Sequence, residues 1–168
     1  MPLVSIEALP DTARTWVFGS DRTLDTRASE ILLREVDRFL STWHAHGAPL
    51  TVGRDWRHGR FLTVAVDQST AGASGCSIDG LFRALKAIGP ELGASLVTSG
   101  LIFYRDEKGQ IQSVDRERFT SLSADGAIQP ETRVFDPTVT TLGEWRARFE
   151  LEAVQSWHAG LLNEKQHA

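Results

Sequence analysis

Between Ala28 and Trp43 the apolar positions Ala28, Ile31, Leu32, Val36, Phe39, Leu40 and Trp43 recur at helical spacing, while Glu30, Arg34, Glu35, Asp37 and Arg38 fill the gaps. An amphipathic helix of this kind is held mainly by what it lies on, so the chain must supply a second apolar layer. Asp25 or Thr26 is expected to cap the first amides, and Gly47 with Pro49 to supply the stop. The layer is sought among short β-branched and aromatic runs. Thr15 to Phe18 reads as one strand, followed by the turn-rich stretch Gly19 to Thr26. Leu50, Val52 and Trp56 alternate with Thr51, Gly53 and Asp55, His58-Gly59 interrupts, and Phe61 to Val66 continues, which together predict a hairpin.

After the small-residue loop Ser69 to Gly75, a second helix is predicted from Ile78, Leu81, Phe82, Leu85 and Ile88, ending near Gly89-Pro90. Leu96 to Tyr104 and Gln110 to Val114 read as two more strands around Asp106 to Gly109. The order β-α-β-β-α-β-β predicts an α+β fold. The expected form is a two-layer, ferredoxin-like (split βαβ) variant: an antiparallel or mixed sheet of about five strands with both helices on one face. Beyond Asp115 the pattern weakens. Phe119 and Leu122 suggest a short helix, Pro130 to Phe135 an extended piece, Leu142, Trp145 and Phe149 a helix, and Ser156-Trp157-His158 a last short one. With no linker or internal repeat, the expectation is a single domain over 1–168, with a core at about 14–115 and an extension at about 116–168 packed on it.

Composition limits the functions open to such a fold. The formal charge is -4, from 18 Lys and Arg against 22 Asp and Glu, so no global positive field would draw nucleic acid. No apolar run approaches the roughly 18 residues of a membrane span, and the N-terminus lacks the basic and apolar regions of a signal peptide. The one cysteine forms no intrachain disulfide, and five Trp and eight Phe provide core bulk without staples. A cytoplasmic setting is expected. No cofactor motif is present, and one cysteine with scattered histidines lacks the short-spaced pairs of structural zinc, so neither cofactor nor metal is expected. A homodimer through the sheet edge stays open as a partner.

The strings Thr15-Trp-Val-Phe-Gly-Ser-Asp-Arg22, Ala71-Gly-Ala-Ser-Gly-Cys-Ser-Ile-Asp79, Val134-Phe-Asp-Pro-Thr-Val-Thr-Thr141 and Ser156-Trp-His158 give the chain its strongest likeness. Through them it resembles a family of small bacterial proteins, many of which carry the automatic label "ABC transporter ATPase". The resemblance implies no established activity. An ATPase of that class needs Gly-x-x-x-x-Gly-Lys-Ser/Thr to cradle phosphates and place a lysine on them. The glycine-rich stretch Gly72 to Gly80 has no such lysine, the first downstream being Lys86, so the ATPase function is rejected. The segment Ser123 to Val134 is similar to a GYF-like segment over about a dozen residues. The Gly-Tyr-Phe signature of peptide binders is absent, and proline-rich peptide binding is not inferred.

The chemistry centres on Ser69-Thr-Ala-Gly-Ala-Ser-Gly-Cys-Ser-Ile-Asp79, a small-residue loop feeding a helix. Convergent amides there form an anion or oxyanion cradle, for which Ser74, Gly75 and Ser77 are the candidate donors. Cys76, at or just before the first turn, would be stabilised as thiolate by unpaired amides and the helix dipole. Helical spacing sets Cys76 opposite the apolar positions, with Asp79 three and Arg83 seven residues later, provided Ser74 rather than Ser77 caps the helix. The plainer reading is a tight connection with a cysteine serving as a small hydrophobe.

A nucleophile asks for a base, and the histidines are His44, His46, His58, His158 and His167. His158 is first choice through its motif, with Asp79 as the third catalytic candidate. The plain alternative for His158 is a surface histidine beside a packed Trp157. His44 and His46 would sit at a helix C-terminus, where the dipole favours imidazolium and capping. Asp67 could orient a histidine or simply start a turn, and Arg54 could leave the core at a sheet edge or line a polar pocket. Asp136-Pro137 and the hydroxyls around it offer weak ligand-binding potential, or a loop that caps the next helix through Thr141. Three functions follow: a cysteine-dependent enzyme or thiol-redox protein acting on a small electrophilic ligand; a module binding a small anionic ligand, with Arg83 beside the loop; and a structural interaction protein.

Overall fold

The structure, a computed structural model, describes residues 3–45, 48–49, 51–67 and 75–162, of which 44, 45, 48, 49 and 75–77 are described by backbone alone. The chain forms two compact units: Met1–Thr98 with Pro137–Ala147, and Ser99–Asp136 with Arg148–Ala168. The fold is α+β with antiparallel sheets, as the element order predicts.

In the first unit, β1 (Arg14–Gly19) is followed by α1 (Thr26–Ser41) and the small ribbon of β2 (His44–Ala45) and β3 (Ala48–Pro49). The predicted hairpin is β4 (Thr51–Arg57) with β5 (Phe61–Asp67), and α2 (Gly75–Leu92) follows. The sheet order is β1-β5-β4, all antiparallel neighbours. Its turn carries His58 at φ 61° and Gly59 at φ 65°, the positive φ pair that lets a tight turn follow strand twist. Asp25 is the α1 cap, its Oδ1 accepting from the Ala28 amide at 2.8 Å. The helix stops at Ser41, short of the predicted Gly47-Pro49 stop. Residues 44–45 and 48–49 pair instead as β2 and β3, so His44 stands in a strand rather than at the helix C-terminus.

Strand β5 lies between two neighbours and is buried on both faces. On one face Phe18, Leu62, Val64, Val66 and Val52 meet Leu32, Val36 and Leu40 of α1 and Leu81 and Leu85 of α2. Each such buried aliphatic chain contributes about 1.5–3 kcal/mol. On the other face, a 3-10 turn (Ile6–Ala8) crosses so close to Gly53 that an added Cβ would lie 2.8 Å from the Ile6 Cα. Trp145 of α4 (Leu142–Arg148) stacks under Arg57, whose Cζ is 4.5 Å from the ring centroid. Arg146 ties these pieces together, donating to the Leu9 carbonyl at 3.0 Å and to Asp11 at 2.6 Å.

Helix directions follow from the connections. Strands β1 and β4 both run antiparallel to β5, so α1 returns from the Gly19 end of the sheet to the Arg14 end. Helix α2 leaves β5 at the Arg14 end, and the residues beyond it bond to Asp21 and Gly19 through the Ser95 amide and Thr98 hydroxyl. The end of α1 and the start of α2 therefore share one end of the sheet. They touch there: a Cβ built on Gly80 would lie 3.1 Å from two carbons of the Phe39 ring.

In the second unit, β6 (Leu101–Arg105) and β7 (Ile111–Asp115) form the predicted hairpin, with Gly109 at φ 79°. They do not extend the first sheet. They join β8 (Arg133–Phe135) and β9 (Glu150–Glu152) in the order β7-β6-β8-β9, so a sheet of about five strands is replaced by sheets of three and four. α3 (Arg116–Ala124) is capped by Asp115, which accepts from the Arg118 amide at 2.7 Å. Ile102, Phe119, Ile128, Val134, Ala153 and Leu162 form this unit's core. The last described element is a 3-10 helix, Trp157–Leu161, as Ser156-Trp157-His158 suggests.

Candidate functional site

Helix α2 begins at Gly75, so Cys76 is its second residue and Ser77 lies inside the helix rather than at its cap. Ser74, the other capping candidate, falls outside the described residues. The first four amides of a helix have no partner within it, and those of Gly75, Cys76 and Ser77 belong to this set. Asp79 and Arg83 are both exposed, on the flank of α2 away from Ile78, Leu81 and Leu85, which are buried. The predicted phase holds for the described part of the helix.

The same end of the unit carries Trp16, Phe39 and Trp43. Trp43 follows Thr42, the C-cap of α1, with its ring centroid 5.7 Å from that of Phe39 and 6.2 Å from that of Trp16. It is 5 % exposed, and its indole Nε1 has no hydrogen-bond partner. Arg14 lies over Trp16, its Cζ 5.2 Å from the ring centroid. The sequence offers no sign of the orphaned indole, because Trp43 reads simply as the last member of the apolar stripe.

His158 departs from its expected setting. It is wholly buried and Trp157 is 41 % exposed, the reverse of a surface histidine beside a packed tryptophan. The two rings stack at 3.9 Å, and Phe119 lies 5.8 Å from the imidazole. His158 Nδ1 is 2.8 Å from the Ser156 hydroxyl, while Nε2 is buried without a partner. Burial pulls its pKa down to about 4, outweighing the attraction of Asp136 and reinforced by repulsion from Arg116. A base in solution chemistry needs a ring nitrogen at a surface, and His158 presents none. Asp136 is buried too and accepts from Trp157 Nε1 at 3.2 Å.

The remaining candidates have structural settings. Arg54 leaves the helix-covered face on the edge strand β4 and forms a two-pronged pair with Asp37 of α1, at 2.8 and 2.9 Å. That pairing with Asp37 raises its pKa against the opposing effect of burial. Asp67 closes β5 opposite Thr51. His58 is in the hairpin turn, and His46 and His167 lie outside the described residues. The Val134 to Thr141 stretch caps α4 as the plainer reading has it, with the Glu144 amide donating to Thr141 Oγ1 at 3.2 Å. An open polar cleft in the second unit runs between the β6-β7 turn and residues 126–133, lined by Arg105, Asp106, Gln129 and Arg133. Its two arginines are engaged by Glu150, at 2.7 and 3.6 Å. No helix among the described residues is long and apolar enough to cross a membrane. Among those residues no group of three or more His, Cys, Asp or Glu is placed to hold a metal ion. No protein-family model matches the chain, and neither a curated protein nor a solved structure does.

Proposed function

We propose that this protein works through Cys76 as a reactive thiolate, as a cysteine-dependent enzyme or thiol-redox protein acting on a small electrophilic ligand. The observation that carries the reading is the start of α2 at Gly75, which puts Cys76 in the first turn of an 18-residue helix. Unpaired amides and the positive dipole end favour thiolate over thiol in that position. Exposed Asp79 and Arg83 on the neighbouring flank are the charged groups a ligand would meet.

A thiolate already ionised attacks without a base, so the reading does not depend on His158. In acyl transfer the sulfur bonds to the carbonyl carbon, the leaving group departs and takes a proton from water. Water then cleaves the thioester and the thiol is regenerated. The oxyanion formed on the way is held by the first-turn amides. The redox form requires a glutathione-class thiol or the cysteine of a second chain, because the sequence has only one cysteine. Either form belongs in a reducing, cytoplasmic setting. The likeness to small bacterial proteins through Gly75-Cys-Ser-Ile-Asp79 draws attention to the same turn. The test is the alkylation rate of native protein by iodoacetamide against pH, with Cys76→Ser as the blank.

A further inference from the structure

Arg60, between the His58-Gly59 turn and the start of β5, is 6 % exposed. Its guanidinium turns under the connection from β1 to α1, where Nε donates to Thr23 Oγ1 at 3.3 Å and Nη1 to the Ser20 carbonyl at 3.2 Å. Both acceptors are neutral, and both bonds are at the long end of the range. Among the described residues no carboxylate stands within ion-pair distance of this side chain, and Nη2 has no acceptor. Buried cations in folded chains are ordinarily paired, because an uncompensated one gives up its hydration for nothing. Burial accordingly lowers the Arg60 pKa against the weaker pull of Asp21. The surroundings are fixed by the backbone. The Ser20 amide donates to the Arg60 carbonyl at 2.7 Å and the Leu24 amide to the Gly59 carbonyl at 2.8 Å. Asp21 donates its amide to the Ser95 carbonyl at 3.0 Å, and its Oδ1 accepts from the Ser95 amide at 3.0 Å. The connection comes so near the turn that a Cβ built on Gly59 would lie 2.9 Å from the Leu24 carbonyl oxygen.

We propose that Arg60 anchors a binding site for a small oxyanion of the carboxylate or phosphate class, under the β1 to α1 connection and entered past exposed Thr23. The oxyanion takes the N–H groups of Nη2 and replaces the long bond from Nε to Thr23 by a charge-assisted one. That is the two-pronged pairing a guanidinium makes with both classes. Asp21, close enough to act on Arg60, opposes a second negative charge and favours a ligand of low charge. Arg22, exposed on the same connection, adds positive charge at the entrance. Because the connection is already tied to the turn and to Ser95, binding orders little that is not ordered beforehand. The site lies at the Gly19 end of the sheet, whereas α2 begins at the Arg14 end. It is therefore separate from Cys76 and stands whether or not that thiol is reactive.

The experiment titrates the full chain with sodium phosphate, and with sodium acetate in a second arm, while sodium chloride holds the ionic strength constant. Two quantities are followed: the thermal midpoint, and the Nε–H resonance of Arg60 in 15N-labelled protein. A saturable rise in midpoint is expected together with a saturable shift of that resonance. Arg60→Lys, which keeps the charge and loses the planar fork, should need about tenfold or more of the anion for the same rise. A response to phosphate alone selects a phosphate-class ligand, and a response to acetate a carboxylate. If the Arg60 resonance stays fixed in both arms, the site is overturned and Arg60 serves only to hold the Ser20 carbonyl. A midpoint that rises equally in the parent and in Arg60→Lys overturns it as well, because the anion then acts elsewhere. Should Arg60→Lys fail to fold, the resonance of the parent protein decides the question by itself.

Discussion

His158 is a buried imidazole in the second unit whose ionisation is opposed by its burial. Its pKa is about 4 in the folded chain and about 6.5 in the unfolded one, so between these values only the unfolded state takes up the proton. Stability contributed by the neutral ring is complete above pH 6.5 and is lost as pH falls towards 4, a change of roughly 3 kcal/mol. Asp136, which accepts from Trp157 Nε1, and Arg116 on α3 set the field around the ring, with opposite signs. Replacing His158 by Phe should flatten the urea midpoint between pH 6.5 and 4.5. A His158→Phe protein that loses as much stability over that range as the parent would place the acid sensitivity elsewhere. The sequence identifies Ser156-Trp157-His158 as a unit of interest, but periodicity cannot say which ring is inside. A 3-10 helix of five residues has no apolar phase long enough to decide it.

At the level of elements, caps and turns were written in single residues and are legible. Asp25 accepts a helix amide, Thr141 with Glu144 closes the start of α4, and His58-Gly59 makes the tight turn. The end of α2 was less so. Gly89-Pro90 reads as a stop, yet the helix runs to Leu92 with Pro90 inside it. The actual stop is Gly93 at φ 68°, beyond which the Ala94 amide reaches back to the Gly89 carbonyl at 3.3 Å. That is the bonding pattern of a left-handed C-terminal cap, and it supersedes the proline signal. Gly53 shows a constraint no pattern announces, since only its position under the Ile6–Ala8 turn makes it matter. Gly53→Ala should cost about 1–3 kcal/mol by displacing that turn, read as a lower thermal midpoint. An unchanged midpoint would mean that the 3-10 turn is not seated on β4.

For the whole molecule, element type was largely readable and partnership was not. The strands at 101–115 have the right composition to extend the first sheet, but pairing is decided by distant residues, and Arg133–Phe135 and Glu150–Glu152 supply the partners. The chain also leaves the second unit at Pro137 to give α4 to the first. A fragment ending at Thr98 therefore lacks buried Leu142, Trp145, which lies under Arg57 of β4, and Arg146, which ties the Leu9 carbonyl and Asp11. It should show no cooperative urea transition, whereas a transition at the full-length midpoint would remove α4 from the first unit's stability. The helix start at Cys76, on which the proposed site rests, is legible, because small residues before an apolar helical phase carry that information. The unanswered indole N–H of Trp43 is not, because a buried donor without an acceptor is a property of packing. The central claim is the thiolate at Cys76, and the direct test is the iodoacetamide rate across pH in native protein. A midpoint well below the ordinary thiol value of about 8.5 is predicted, and a midpoint at or above it would contradict the account.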